Sequence, residues 1–141
     1  AEFVEAKAIV VFTESGDSAR RMSRLRTSIP TIALTPDPEI ESRMQLIWGM
    51  QTFLVDRVTH TDEMMGLADD ILIGRGLVPM GEKVVVISGS PPGIAGSTND
   101  LRVHVVGDVH NQAAQAYHGM TRIEVPTVAQ ERARAASTPA V

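Results

Sequence analysis

The sequence predicts an α/β fold in three layers, with helices on both faces of an open five-stranded sheet. Short apolar runs alternate with segments of helical periodicity along most of the chain, and this alternation is typical of a mostly parallel sheet. The connection between the last two strand-like runs contains no helical segment. Because a parallel pair needs a crossover of about a dozen residues or more, we expect the last strand to run antiparallel.

The predicted strands are short. They cover residues 8–12, 31–35, 52–55, 83–88 and 101–106. The first is entirely apolar and the fourth is rich in valine, as is typical of strands that are buried on both faces.

The fifth predicted strand alternates instead. Leu101, Val103 and Val105 share one face, while Arg102 and His104 share the other. This pattern predicts an edge strand with its aliphatic side chains in the core and with Arg102 and His104 in water.

Two short helices are predicted between the first three strands. The first covers residues 19–26 and places Ala19, Met22 and Leu25 on its buried face. The second begins at Asp37-Pro38, because aspartate is a common N-cap and proline fits the first helical position. Its apolar residues recur at helical spacing, and we expect it to end near Trp48-Gly49: Ile40, Met44 and Ile47.

A longer helix is predicted from Thr61 to Gly74, where glycine marks its end. The acidic pairs Asp62-Glu63 and Asp69-Asp70 are assigned to its solvated face. Its apolar stripe consists of Met64, Leu67, Ala68, Ile71 and Leu72.

The composition excludes several classes of protein. The 141 residues are 43% hydrophobic and 21% charged, with a net charge of −4. The absence of cysteine excludes disulfides, iron–sulfur clusters and a cysteine nucleophile. There is no basic excess to favour nucleic acid, and no apolar run approaches the roughly 18–20 residues of a membrane span. We therefore expect the protein to bind neither nucleic acid nor a membrane. We expect a cytoplasmic location.

The length predicts one domain, which we place at residues 1–107. An extension follows at residues 108–141, where periodicity weakens. We expect a short helix at residues 109–117 and a mobile tail near the end of the chain.

A candidate anion site follows the first strand, at the sheet edge where open α/β folds bind ligands. Free amide groups at a helix start, hydroxyl groups and a glycine together favour a phosphate. The segment consists of Thr13, Glu14, Ser15, Gly16, Asp17 and Ser18.

Two observations keep another interpretation of this segment open. Ser15 or Ser18 can simply cap the helix, as serine commonly does. The carboxylates of Glu14 and Asp17 repel a phosphate unless a neighbouring arginine reaches back to offset them.

A second candidate segment is the glycine- and proline-rich loop before the last strand. Long loops in compact domains are often functional, although this one can also be only a connection. Its candidate residues are Gly89, Ser90, Gly93, Gly96, Ser97, Thr98 and Asn99.

No catalytic or metal-binding pattern is apparent in the sequence. The histidines at positions 60, 104, 110 and 118 are scattered, and zinc sites need closer pairing. There is no Walker loop, nucleophile elbow or dinucleotide fingerprint. We assign no catalytic residue, metal ligand or cofactor to this chain.

Five segments in a fixed order resemble the C-terminal α/β domain of pyruvate kinase. They are residues 6–20, 32–36, 43–49, 81–89 and 96–104. The first of them reads AKAIVVFTESGDSAR, and the resemblance covers about residues 4–107.

This resemblance implies a five-stranded sheet with an antiparallel last strand. It also implies a domain that binds sugar-phosphate or nucleotide effectors and forms one interface of a homotetramer. Residues 13–18 match the family's phosphate loop, and residues 89–99 match its effector loop. The parent enzyme transfers a phosphoryl group from phosphoenolpyruvate to ADP with Mg²⁺ and K⁺, using residues of a barrel domain that this chain lacks.

The resemblance also bears on the effector. Family members activated by fructose bisphosphate usually have basic residues at the position of Asp17 and near Ser90-Pro91, and this sequence has neither. A sugar monophosphate or AMP is therefore the expected effector.

Three functions remain open from the sequence. The leading hypothesis is a regulatory and assembly domain of a pyruvate kinase that is inactive by itself. The alternative is an α/β module that only oligomerises. The third is a small free-standing enzyme, for which no clustered site is found.

Overall fold

The computed structural model describes residues 1–109 and confirms the expected α/β architecture. The predicted short helix at residues 109–117 lies almost wholly outside the described residues, and the predicted tail lies wholly outside them. The elements in chain order are β1 (Ala8–Phe12), α1 (Asp17–Arg24), β2 (Thr31–Thr35), α2 (Pro38–Met44), β3 (Met50–Leu54), α3 (Thr61–Gly74), β4 (Lys83–Gly89) and β5 (Thr98–Val105).

The sheet has the strand order β3-β2-β1-β4-β5. The neighbours β3-β2, β2-β1 and β1-β4 are parallel, and β4-β5 is antiparallel as predicted. The chain therefore builds outward from β1 in one direction through β2 and β3, and in the other through β4. The connections after β1 and β4 leave the sheet edge in different directions, which opens a crevice between these strands.

The two faces of the sheet carry separate cores. On one face α3 packs against β1, β2 and β4, and Met64, Met65, Ala68 and Leu72 are buried there. On the other face α1 and α2 pack near β2. Every residue of β1 and β2 is buried, as the continuous apolar runs predict.

The predicted start of α2 is confirmed. The Asp37 carboxylate accepts hydrogen bonds from the amides of Glu39 and Ile40 at 2.8 and 3.2 Å, and Pro38 is the first helical residue. The predicted end is wrong, because the helix stops at Met44 and turns lead on to β3.

The predicted bounds and buried face of α1 need correction. The helix begins at Asp17 and ends at Arg24, so Leu25 lies in the closing turn and is 69% exposed. Ala19 is fully buried, as predicted. The backbone of Arg26, two residues after the helix, has a left-handed φ of 45°.

The prediction for the faces of β5 is wrong for His104, Leu101 and Val103, whereas Arg102 is exposed as expected. His104 is 7% exposed, while Leu101 and Val103 are 68% and 46% exposed. The register pairs His104 with the buried Val84, which places the imidazole on the face covered by α3. Among the described residues, the helices of the opposite face pack on β1, β2 and β3, and leave Leu101 and Val103 of β5 in solvent.

The burial of His104 also corrects the assignment of Asp69 to a solvated face. Asp69 is fully buried, and its Oδ1 lies 2.8 Å from the His104 Nε2. A buried polar group needs a hydrogen-bond partner. The alternation of polar and apolar residues in β5 could not show that the partner of His104 is Asp69 on α3.

Three strand bounds differ slightly from the prediction. β3 begins two residues earlier, β4 extends to Gly89, and β5 begins at Thr98. None of the helices among residues 1–109 is both long and apolar enough to cross a bilayer.

Candidate functional site

A cleft opens at the carboxyl ends of the parallel strands, between β1 and β4. Its empty volume is about 620 Å³, including space shared with solvent. Residues of both segments singled out in the sequence line it, but Gly16, Ser90, Ser97 and Asn99 do not. We call residues 13–18 the first wall and residues 89–99 the second wall. The apolar floor consists of Phe12, Leu34, Val55, Val58 and Met64.

The first wall is fixed by buried contacts. Thr13 is 7% exposed, and its hydroxyl oxygen accepts a hydrogen bond of 2.8 Å from the amide of Gly16. Gly16 has φ of 83°, and a methyl group built on it would lie 3.5 Å from Ile40 and 3.6 Å from Met44 of α2. The turn is therefore defined by a left-handed glycine that packs on the neighbouring helix.

Neither serine caps α1, so the capping alternative is wrong. Gly16 occupies the N-cap position without a side-chain hydrogen bond to the helix. The Ser15 hydroxyl oxygen lies 3.4 Å from the amide of Asp17, which is a long and weak contact. The first turn of α1 therefore has backbone amide groups that donate to no N-cap side chain, because the N-cap residue is a glycine.

The two acidic residues of the first wall have different partners. The Asp17 carboxylate is 65% exposed and lies 3.8 Å from the guanidinium of Arg20. The Glu14 carboxylate is 22% exposed and lies 3.1 Å from the guanidinium of Arg57. The expected repulsion is thus offset at Glu14 by an arginine from another part of the chain.

The second wall is held by its own polar groups. The Asn99 side chain accepts from the amide of Ser90 at 2.7 Å and donates to its carbonyl at 2.9 Å. The Ser97 hydroxyl donates to the carbonyl of Ile94 at 2.8 Å. These groups stabilise the loop, while Gly89, Gly93, Gly96 and Thr98 line the cleft.

One hydrogen bond joins the walls, and Arg57 lies near both of them. The hydroxyls of Ser18 and Thr98 are hydrogen-bonded across the cleft. On the other side, the Arg57 guanidinium lies 3.8 Å from where a methyl group on Gly93 would stand. Arg57 therefore lies between Glu14 of the first wall and the second wall.

Sequence reasoning missed Arg57 and its neighbour Asp56, which also line the cleft. They follow β3, whose carboxyl end lies at the same sheet edge as those of β1 and β2. Open α/β folds bind ligands at this edge, so the position of Arg57 soon after a parallel strand is the sequence signal that indicates it.

Within residues 1–109, the His, Asp and Glu side chains form no group that could hold a metal ion. The charged side chains that line the cleft are Glu14, Asp17, Asp56 and Arg57. The Arg57 guanidinium can bind an anion, and the three carboxylates can accept hydrogen bonds from hydroxyl groups.

Comparison with known sequences identifies the fold family. The family described as "Pyruvate kinase, alpha/beta domain" matches residues 1–104. A pyruvate kinase of Corynebacterium efficiens is 44% identical over 108 residues, which cover 77% of this chain and 23% of that protein. One from Mycobacterium tuberculosis is 42% identical over 107 residues, covering 76% of this chain and 23% of that protein. The chain thus spans about a quarter of the length of these relatives.

A solved structure shows the same fold. A pyruvate kinase from Cryptosporidium parvum superposes with a TM-score of 0.66 at 24% identity, over 75% of this chain and 20% of that one. This likeness shows the fold, and the family match over residues 1–104 shows that the chain belongs to the pyruvate kinase alpha/beta domain family.

Proposed function

We propose that this chain is the regulatory domain of a pyruvate kinase, and that its cleft binds a phosphorylated effector. The observation that carries the proposal is the open first turn of α1, which faces a cleft bounded by two linked loops. Amide groups at a helix N-terminus favour an anion, and the apolar floor suits a sugar ring or a base.

The charges of the cleft favour a ligand with one phosphate group. Among the described residues, Arg57 is the one cationic side chain that lines the cleft, beside three carboxylates. A second phosphate would find no further cation, and it would add to the repulsion from those carboxylates. A sugar monophosphate or AMP therefore fits better than a bisphosphate.

In the proposed parent enzyme, phosphoryl transfer from phosphoenolpyruvate to ADP takes place outside this chain. Residues 1–109 contain no group of side chains that could bind the Mg²⁺ or K⁺ of that reaction. We expect a pyruvate-formation assay of the chain alone to show no turnover.

The second proposed role is assembly into a homotetramer. It is supported by the aliphatic face of β5, where Leu101 and Val103 are exposed. A module that only oligomerises shares this feature, and ligand binding separates the two functions.

Calorimetric titration of the full chain tests effector binding. Fructose 6-phosphate and AMP are compared with fructose and adenosine, which lack the phosphate. We expect saturable heat with at least one phosphorylated ligand and none with its unphosphorylated partner. Ser18→Ala, which removes a cleft hydroxyl, should weaken binding by about tenfold, because a hydrogen bond to a charged group contributes roughly 1.5–3 kcal/mol.

Ser42→Ala is the matched control, because the Ser42 hydroxyl is exposed and bonds within α2. It should leave binding unchanged. Absence of saturable heat with every phosphorylated ligand, in a folded chain that self-associates, would favour the oligomerisation-only module.

A further inference from the structure

The ion pair between Glu14 and Arg57 has a consequence for ligand binding. Resting on the function proposed above, we propose that Glu14 is an internal competitor for Arg57, and that an anionic ligand must displace its carboxylate to bind. The strength of this ion pair thereby sets the affinity of the cleft for an anionic ligand. Because Arg57 also lies near Gly93, the exchange couples ligand binding to the second wall.

The position of Arg57 supports this role. Its guanidinium lies 3.1 Å from a Glu14 carboxylate oxygen and also adjoins Gly93. Within the described part of the chain, no other lysine or arginine lines the cleft. An anion that enters the cleft therefore finds its one cation already neutralised.

The exposure of the pair allows the exchange. Arg57 is 60% exposed and Glu14 is 22% exposed. An ion pair in contact with water is weak, whereas a guanidinium binds a phosphate through two parallel hydrogen bonds. A phosphate dianion can therefore replace a carboxylate, provided that the carboxylate can move into solvent.

Asp17 is a natural control for this exchange. It lines the same cleft and carries the same charge, but its carboxylate lies 3.8 Å from Arg20, which does not line the cleft. Removal of either carboxylate lowers the negative charge of the cleft by one. Removal of Glu14 alone also frees Arg57.

The test measures the affinity of the full chain for inorganic phosphate and for fructose 6-phosphate by calorimetry. Glu14→Gln should bind both about tenfold more tightly than the unmodified chain, whereas Asp17→Asn should gain no more than about twofold from weakened long-range repulsion. Arg57→Gln should weaken binding, and Arg57→Lys should restore only part of it, because lysine lacks the planar pair of donors.

The double variant Glu14→Gln/Arg57→Gln completes a mutant cycle. If the carboxylate acts through Arg57, the gain from Glu14→Gln disappears when Arg57 is absent. Equal gains from Glu14→Gln and Asp17→Asn, or a gain that persists in the double variant, would overturn the exchange and leave effector binding intact. Circular dichroism of each variant checks that it is folded.

Failure of the function itself has a different signature. If neither ligand binds the unmodified chain or Glu14→Gln, both the effector site and the exchange are refuted. Amide chemical shifts provide a second measurement, because in Glu14→Gln the resonance of Gly93 should shift before any ligand is added.

Discussion

The two walls of the cleft differ in how they are held in place. The first wall is anchored by a buried threonine and by a glycine that packs on α2. The second wall is mostly exposed, and the hydrogen bonds of Ser90, Ser97 and Asn99 close within the loop and at its base. Segments with few buried contacts open at low free-energy cost. We infer that the first wall is preorganised for an anion and that the second wall adjusts to the ligand.

The largest expected effect concerns β5, which continues directly from the second wall. His104→Ala should lower the free energy of unfolding by about 3 kcal/mol, because it breaks a buried pair and leaves Asp69 without its partner. The Asp69 Oδ2 already lacks a hydrogen bond. Urea unfolding followed by circular dichroism measures the loss.

Arg102→Ala is the matched control, because Arg102 lies in the same strand and its side chain is 45% exposed. It should cost no more than about 0.5 kcal/mol. If the two variants lower the free energy of unfolding equally, the His104–Asp69 pair does not anchor β5. The strand that follows the second wall is then not held in place by this pair.

A pair of threonine substitutions compares the walls directly. Thr13→Val should cost about 2 kcal/mol, because it leaves the amide of Gly16 without its acceptor in a buried position. Thr98→Val removes an exposed contact to Ser18 and should cost about 0.5 kcal/mol. Thermal unfolding of both variants gives the difference, and equal costs would remove the distinction between the walls.

A pair of glycine substitutions makes a finer comparison. Gly16 and Gly93 both have a positive φ, of 83° and 87° respectively. Alanine in this conformation costs roughly 1–2 kcal/mol where the backbone is fixed. We expect about that cost at Gly16 and a smaller one at Gly93, where the exposed loop can relax. A larger loss at Gly93 in thermal unfolding would reverse the assignment of the rigid wall.

The fold was predictable because its signals are local. A continuous apolar run such as residues 8–12 indicates a buried strand, and Asp37-Pro38 indicates a helix start, without any knowledge of distant residues. The antiparallel direction of β5 relative to β4 was predictable because the connection between them contains no helical segment. Its buried face did not, because that depends on where α3 leaves room for His104.

The candidate site was predictable in part for the same reason. The first and second walls have a distinctive composition and follow predicted strands, so they could be chosen from the sequence. The Glu14–Arg57 pair joins loops after β1 and β3, and no sequence spacing encodes such a contact. The absence of a serine cap likewise depends on the left-handed φ of Gly16, which makes the glycine the N-cap residue. The presence of serines on both sides of Gly16 does not indicate this.

The most direct test of the account follows the amide resonances of the isotope-labelled chain during a titration with fructose 6-phosphate and, separately, AMP. We predict saturable shifts in residues 15–18 and in residues 93–96, together with slower hydrogen exchange in the second wall. Shifts confined to the side of the molecule around Arg26 and Trp48, where a guanidinium stacks on the indole, would contradict the account. So would the absence of any saturable shift with both ligands.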